Sequence, residues 1–168
     1  LTRVGFFPGS SIGNFEPTEA QRFLHTVHQT LGSGASLIIG VDRKKPVEIL
    51  ERAYNDADGV TAEFNLNLLH HLNERLGADF QVEQFSHAAR YNETLGCVQM
   101  FLKSEQRQQV NIAGQTVSFA AGEELHTENS YKYHPHEFKA LAKAADFSVD
   151  LEWTDERDYF SLYLLTAD

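Results

Sequence analysis

Short apolar runs and a helix-spaced apolar pattern alternate over the first quarter of the chain. Residues 4–7 and 36–41 are unbroken apolar runs, typical of strands covered on both faces. Between them Pro17 suits a first helical position, and apolar residues recur at helical spacing until Gly32: Ala20, Phe23, Leu24, Val27 and Leu31. Strand, helix, strand in this order predicts a parallel sheet. A strand such as residues 4–7 needs neighbours on both sides, so its position almost at the first residue is typical of a fragment.

Polar residues follow both predicted strands. Residues 8–14 contain a proline and two glycines, typical of a tight turn, and Asp42 closes the second strand. Open α/β sheets bind ligands beyond the carboxyl ends of parallel strands, so we expect residues 9–14 and Asp42 to lie at such a site. The pattern leaves two roles open for Asp42: holding a ligand group, or capping the next turn.

After Pro46 the strands no longer alternate with helices. Helical patterns at 47–54 and 61–76 precede several strand-like pieces. Residues 110–112 face 117–119 across Ala113-Gly114, which predicts a β-hairpin, and residues 96–102 are expected to pair beside it. Antiparallel strands within an α/β chain indicate an inserted α+β subdomain.

From Pro135 the helix and sheet pattern returns. Phe138, Leu141, Ala142 and Ala145 share one helical face, and residues 147–153 and 159–165 predict two strands joined by a polar turn. A helix followed by a terminal antiparallel hairpin is how the sheet of class I methyltransferases commonly ends, although other α/β folds share this ending.

Composition limits the classes of partner. With 168 residues and 42% hydrophobic content the chain can bury one sizeable core. A net charge of -10 disfavours nucleic acid and anionic membranes, which bind through Lys and Arg. The single cysteine, Cys97, forms no intrachain disulfide and is interpreted as a small buried hydrophobe, so we expect a soluble, cytoplasmic protein.

Histidine pairs at 25/28, 70/71 and 134/136 invite a metal hypothesis. There is no thiolate cluster and no His-Glu-x-x-His on a helix, so no metal site is predicted.

A set of short motifs in fixed order carries a resemblance. They are Phe7-Pro8-Gly9-Ser10-Ser11-Ile12-Gly13-Asn14-Phe15, Gly40-Val41-Asp42, Ala53-Tyr54-Asn55-Asp56 leading into residues 59–69, Gln99-Met100, and Thr127-Glu128-Asn129-Ser130-Tyr131-Lys132-Tyr133. Together they resemble the histidine-specific, S-adenosylmethionine-dependent methyltransferases of ergothioneine biosynthesis. That family more often has Thr where this chain has Ser11.

The resemblance implies a partial class I methyltransferase: a Rossmann-like α/β sheet with an inserted α+β substrate-binding subdomain. Residues 1–45 are then late strands of the core, 46–132 the insertion, and 133–168 the final helix and hairpin. Family members begin with a segment that binds most of the S-adenosylmethionine through a glycine-rich loop opening a helix, and no such loop occurs here. We therefore expect a C-terminal fragment that is inactive alone, and we assign it no cofactor-binding residue.

The resemblance also implies roles at the amino-acid end of the substrate. Asn14 and Tyr54 would hold the carboxylate by directed hydrogen bonds, without a cation beside the positively charged cofactor. Gly9 and Ser11 would shape the loop near the amino group. No residue is assigned a catalytic role beyond positioning the substrate, because orientation provides most of the catalysis in a direct displacement.

Three further residues would contact the side chain of the substrate. The resemblance implies that Glu128 and Ser130 hydrogen-bond the imidazole nitrogens and that Met100 lines the same pocket. Residues two apart on a strand project to one face. Taken singly, Met100 is more typical of core packing and Tyr54 of a half-buried helix end, and the Glu128 and Ser130 pair also fits a solvated edge strand.

The function implied is N-methylation of the α-amino group of L-histidine, through successive steps, to the trimethylated betaine hercynine. Two alternatives stay open: the same chemistry on a histidine conjugate or a tryptophan derivative, and a non-catalytic substrate-binding module when the fragment is isolated.

Overall fold

A computed structural model describes residues 3–168 of the chain. The helices are α1 (Pro17–Leu31), α2 (Val47–Tyr54), α3 (Val60–Leu76) and α4 (Pro135–Lys143). The strands are β1 (Val4–Phe7), β2 (Ser36–Asp42), β3 (Phe85–Asn92), β4 (Cys97–Ser104), β5 (Gln108–Ile112), β6 (Gln115–Phe119), β7 (Glu124–Tyr131), β8 (Phe147–Thr154) and β9 (Phe160–Ala167). Across residues 3–168, no helix combines the length and apolarity needed to cross a bilayer.

The chain divides into two compact units. The first comprises the residues up to Pro46, 92–97 and 129–168, and the second comprises 47–91 and 98–128. Strands β3, β4 and β7 form a three-stranded sheet in that order.

The first unit contains a four-stranded sheet in the order β1-β2-β9-β8. β1 runs parallel to β2, whereas β9 is antiparallel to both β2 and β8. The predicted parallel pair and the terminal antiparallel hairpin are therefore confirmed. Pairing of β2 with β9 places the last strand of the chain in the middle of this sheet.

Within the described residues β1 has one partner strand, and the expectation that it needs a second neighbour stays a prediction. β1 is an edge strand that pairs with β2, and its side chains alternate between exposed and half-buried. Phe6 is 68% exposed.

The core of the first unit lies between the sheet and helices α1 and α4. Phe138 of α4 and Tyr163 of β9 are almost fully buried, with ring centroids 4.7 Å apart. The predicted apolar face of α4 is confirmed, since Phe138, Ala142 and Ala145 are buried and Leu141 packs against them. Cys97 is fully buried in this cluster, as predicted, and burial raises the pKa of its thiol.

The second unit contains α2, α3 and the hairpin β5-β6. The predicted hairpin is confirmed, with Val110 opposite Val117 and positive φ at Ala113 (48°) and Gly114 (77°) in the turn. The prediction that residues 96–102 pair beside it is wrong. Residues 97–102 lie in β4, whose partner strands are β3 and β7 instead. Both partner strands have eight residues, whereas the hairpin strand β5 has five.

The amino end of α3 is held by a side chain from the preceding turn. The carboxylate of Asp56 accepts hydrogen bonds from the amides of Val60, at 2.8 Å, and Thr61, at 2.9 Å. Hydrogen bonds from the Thr61 side chain and amide, and from the Val60 amide, lower the pKa of Asp56 to about 2. This carboxylate thus stabilises α3 in its charged form.

Gly40 of β2 lies against the chain at Pro8, where no side chain fits. A Cβ at Gly40 would meet the Pro8 carbonyl oxygen at 1.8 Å and Phe160 Cζ at 2.7 Å. Glycine thus allows β2 to approach the start of the loop that follows β1.

Replacing Gly40 with Ala should lower the free energy of unfolding by about 1–3 kcal/mol or more, because backbone must move to admit the methyl group. Urea denaturation measures the change. Gly9→Ala is the matched control, since its Cβ would meet only Ser11 Oγ, at an ordinary 3.7 Å. Equal losses in the two variants would contradict the steric explanation.

Asp56→Asn should reduce the melting temperature at neutral pH while keeping a side chain that can cap a helix. A folded-state pKa below the ordinary value means that the charged carboxylate stabilises above about pH 4 and loses this effect as pH falls toward 2. The difference in melting temperature between wild type and variant should therefore shrink over that interval. Asp58→Asn, in the same turn, serves as the control, and a difference independent of pH would refute the assignment.

Candidate functional site

The loop after β1 reaches the end of β2, as predicted from the polar residues there. Ser10 has a left-handed backbone (φ 55°), and its Oγ accepts a hydrogen bond from the Asp42 amide at 2.8 Å. The Gly13 amide donates to the Ser10 carbonyl at 2.9 Å, which closes a 3₁₀ turn over Ser11–Asn14. Residues 9–14 and Asp42 therefore lie together at the carboxyl ends of two parallel strands.

This turn packs directly on the end of β7. A Cβ at Gly13 would lie 2.7 Å from the Tyr131 carbonyl oxygen and 3.6 Å from Ser130 Oγ. Ile12 is fully buried and fixes the turn in the core, whereas Asn14 has an exposed side chain. Asn14, one residue after Gly13, is thus held close to Ser130 within the first unit.

Glu16 strengthens this contact from the start of α1. Its carboxylate accepts hydrogen bonds from Tyr131 Oη at 2.6 Å and from Asn129 Nδ2 at 3.1 Å. Burial, together with the hydrogen bond to Glu16, raises the pKa of the Tyr131 phenol. Sequence reasoning missed Glu16, Asn129 and Tyr131. Their positions in the sequence could have indicated them, because Asn129 and Tyr131 flank Ser130 and Glu16 lies two residues after Asn14.

Asp42 makes ion pairs with two lysines. Its carboxylate oxygens lie 2.5 Å from Lys45 Nζ and 2.9 Å from Lys132 Nζ. Lys132 also donates to Ser130 Oγ at 2.8 Å, and it is only 2% exposed. The Asp42 carboxylate thus pairs with Lys45 and with Lys132, which lies beside Ser130, and the two roles considered for Asp42 stay predictions.

In the second unit Tyr54 and Met100 belong to one apolar cluster. Met100 is buried together with Leu50, Ala89 and Val98, and the half-buried Tyr54 packs against them. Thr127 Oγ1, next to Glu128 in the chain, donates to the Met100 carbonyl at 3.1 Å. β4 and β7 therefore bring Met100 and the residue preceding Glu128 together.

The backbone at Tyr54 is held by a buried polar network. Asn65 Nδ2 donates to the Phe101 carbonyl and contacts His87 Nδ1, both at 3.0 Å. Because an amide nitrogen only donates, His87 Nδ1 accepts, and the proton on Nε2 is donated to the Tyr54 carbonyl at 2.8 Å. Asn65 is 3% exposed. Sequence reasoning missed both roles, although Asn65 lies in the motif of residues 59–69.

Glu128 is one of the residues that line a cavity of about 220 Å³ in the second unit. The remaining lining residues are Phe64, Asn65, Asn67, Leu68, His71 and Thr127. The half-buried Glu128 therefore lies in a concave environment that mixes polar and apolar groups.

The predicted substrate-binding residues divide between the two units. Gly9, Ser11, Asn14 and Ser130 belong to the first, and Tyr54, Met100 and Glu128 to the second. Glu128 and Ser130 both lie in β7, as predicted. A common pocket for all of them stays a prediction. Within residues 3–168 no group of three His, Cys, Asp or Glu side chains could hold a metal ion.

The fold is that of S-adenosylmethionine-dependent methyltransferases, with a Rossmann-like sheet. The chain is similar to the CcbJ methyltransferase from Streptomyces caelestis, with a TM-score of 0.52 and 10% identity over 99% of this chain and 62% of that one. At this identity the similarity concerns the fold.

Sequence comparison defines the family. The model of the histidine-specific, S-adenosylmethionine-dependent methyltransferases matches residues 1–167. The histidine N-alpha-methyltransferases of Mycobacterium tuberculosis and Mycolicibacterium smegmatis are each 41% identical over 164 residues, which are 96% of this chain and 51% of theirs. The chain belongs to this family, and it spans about half the length of these relatives.

Tyr131→Phe should lower the free energy of unfolding by about 1 kcal/mol, since the Glu16 carboxylate loses a hydrogen bond. Because the phenol pKa is raised in the folded state, its contribution is complete below about pH 10 and is lost as pH rises further. Urea titrations at pH 8 and above pH 10 measure both effects.

Tyr159→Phe is the control, because the Tyr159 ring, which lies 5.2 Å from Lys45 Nζ, is retained in the variant. A Tyr131 effect no larger than that of the control would contradict the role assigned to the Glu16 contact.

Proposed function

We propose that the native protein containing this chain methylates the α-amino group of L-histidine, in successive steps, to hercynine in ergothioneine biosynthesis. The observation that carries the proposal is 41% identity to histidine N-alpha-methyltransferases over 96% of the chain. Further support comes from the motif residues, which occupy ordered and mutually supported positions in each unit.

Asn14 and Tyr54 are the proposed carboxylate-binding residues. Asn14 is exposed on a turn that is held on both sides, by buried Ile12 and by the Glu16 contacts. Tyr54 ends α2, and its backbone is held by His87. An amide and a phenol donate hydrogen bonds to a carboxylate without adding a full positive charge. Such neutral donors suit a site that also receives a sulfonium ion.

Glu128 and Ser130 are the proposed imidazole-binding residues. Neutral imidazole has one donor and one acceptor, which a carboxylate and a hydroxyl can satisfy together. A leucine or phenylalanine side chain would leave these polar groups buried and unpaired, at about 1–3 kcal/mol for each group. Selectivity for histidine then requires no metal.

The chain contributes substrate positioning and no assigned cofactor contact. Adenosylmethionine supplies an electrophilic methyl group on a positively charged sulfur. Gly32–Gly34, which has the Gly-x-Gly spacing, joins α1 to β2 and opens no helix, so it does not fit the family's cofactor loop. Gly9 and Ser11 are proposed to shape the loop beside the amine, which must be neutral and in line with the methyl carbon to react.

The native protein, supplied with adenosylmethionine and L-histidine, should yield mono-, di- and trimethylated histidine by mass spectrometry. Tryptophan and a histidine conjugate, offered in competition, test the alternative substrates. Calorimetric titration of residues 1–168 alone separates a substrate-binding module from a catalyst. No histidine methylation by the native protein would refute the proposal, and turnover by residues 1–168 alone would refute the need for a further segment.

Glu128→Ala should lower kcat/KM for histidine about 100-fold or more, through the lost imidazole contact. Glu124→Ala is the matched control on the same strand, where the carboxylate pairs with Arg90 at 2.7 Å, and it should change kcat/KM less than about threefold. A loss below threefold in the Glu128 variant would remove Glu128 from the site.

A further inference from the structure

A chain of hydrogen bonds through Asn65 and His87 connects the helices and strands of the second unit. Asn65 of α3 is 3% exposed, and its Nδ2 lies 3.0 Å from both the Phe101 carbonyl of β4 and His87 Nδ1 of β3. His87 Nε2 lies 2.8 Å from the carbonyl of Tyr54, the last residue of α2. The chain of hydrogen bonds therefore ends at a proposed carboxylate-binding residue.

Both ends of this chain indicate the same tautomer of His87. The Phe101 carbonyl only accepts, so the Asn65 atom beside it is the amide nitrogen and not the oxygen. That nitrogen only donates, so His87 Nδ1, which faces it, carries no proton. The Tyr54 carbonyl also only accepts, which places the proton of His87 on Nε2. His87 is therefore a directed donor to the Tyr54 backbone.

The Tyr54 carbonyl needs a donor from outside its helix. The last four carbonyls of an α-helix have no partner within the helix, and Tyr54 ends α2. The next residue is tied to the same strand as His87, because Asn55 Nδ2 donates to the Ala89 carbonyl at 2.9 Å and the Ala89 amide donates to Asn55 Oδ1 at 3.1 Å. Strand β3 thus holds the backbone at Tyr54 and directly after it.

The Tyr54 side chain has its own constraint. Its half-buried ring packs against the apolar cluster that contains Met100. Phe101 follows Met100 in β4, so the hydrogen bonds through Asn65 and His87 also connect the strand of this proposed pocket residue with the backbone of Tyr54. With the ring packed and the backbone held, the position of the phenol oxygen is determined.

We propose that His87 is a positioning residue for recognition of the substrate carboxylate, which acts by holding the Tyr54 backbone so that the Tyr54 phenol meets the carboxylate. This inference rests on the proposed function, in which Tyr54 binds that group. His87 acts only through Tyr54. Asn65 acts one step further away, because it holds the imidazole in the orientation and tautomer that donates to the Tyr54 carbonyl.

The preference of the native protein for L-histidine over histamine, which lacks the carboxylate, measures this role. His87→Leu should reduce the preference about tenfold or more, because a hydrogen bond to a charged group is strong and weakens steeply when it is misaligned. Dissociation constants from calorimetry give the ratio. Tyr54→Phe should reduce it similarly, and the double variant should lose no more than Tyr54→Phe alone.

His87→Gln is the conservative variant. Glutamine keeps an amide nitrogen that can donate to the Tyr54 carbonyl and an oxygen that can accept from Asn65, so the preference should stay within about threefold of wild type. His70→Leu is the matched control, since His70 is an exposed residue of α3 in the same unit. It should also change the ratio less than about threefold.

Three results would overturn the inference. The first is a folded His87→Leu protein whose ratio stays close to that of wild type. The second is fully additive losses in the double variant, because His87 would then act on the carboxylate independently of the Tyr54 hydroxyl. The third is a loss in His87→Gln as large as that in His87→Leu, since the hydrogen bond would then not be the cause.

A second measurement applies where His87→Leu does not melt cooperatively. In the native protein labelled with ¹⁵N-histidine, the imidazole signals that disappear in His87→Gln belong to His87. They should show the proton on Nε2, and saturation with unlabelled L-histidine, without adenosylmethionine, should shift the Nε2 signal further than saturation with histamine does. A proton on Nδ1, or equal shifts with the two ligands, would overturn the inference.

The two proposals fail separately. A wild-type native protein that does not methylate histidine refutes the proposed function. A protein that methylates histidine, and that loses the carboxylate preference in Tyr54→Phe but not in His87→Leu, refutes the role of His87 alone. An unchanged ratio in Tyr54→Phe removes Tyr54 from the carboxylate site and overturns the inference with it.

Discussion

The close contact between the loop after β1 and the end of β7 is the constraint on which the first unit's candidate site depends. Gly13 lies against the Tyr131 backbone, where a single methyl group would clash. Glu16 adds hydrogen bonds from Asn129 and Tyr131 to the same contact. Segments separated by more than a hundred positions thereby place Asn14 close to Ser130, and neither residue could be held there by its own element.

Charged residues lie around the same contact between the loop after β1 and the end of β7. Asp42 ends β2, its amide donates to Ser10, and its carboxylate pairs with Lys45 and Lys132. One residue thus links the loop, the end of the sheet and the buried ammonium beside Ser130. Asp42 carries one negative charge and the two lysines carry two positive charges, so this cluster keeps one net positive charge within a protein whose net charge is -10.

In the second unit, neutral polar groups hold the backbone of a proposed binding residue, Tyr54. Asn65 contacts His87 Nδ1 and donates to the Phe101 carbonyl, and His87 donates to the Tyr54 carbonyl. Each link has a defined direction, because Asn65 Nδ2 only donates and neutral imidazole has one donor and one acceptor. The motif from Ala53 through residues 59–69 therefore includes the structural residue Asn65 as well as the proposed carboxylate-binding Tyr54, since a buried amide left without partners would destabilise the unit.

The sequence by itself determined the helices, the parallel pair, both hairpins and the family, because these follow from local periodicity, turn residues and short motifs. It did not determine that β4 pairs with β3 and β7. Strand pairing depends on which strands form the longest hydrogen-bond ladders and on which sheet faces pack against a core. The local pattern of the sequence contains neither kind of information. Tertiary structure also decided the roles of Glu16, Asn65, His87 and Lys132. From the sequence alone, a single polar residue is interpreted as solvent-exposed until its burial and its partners are known.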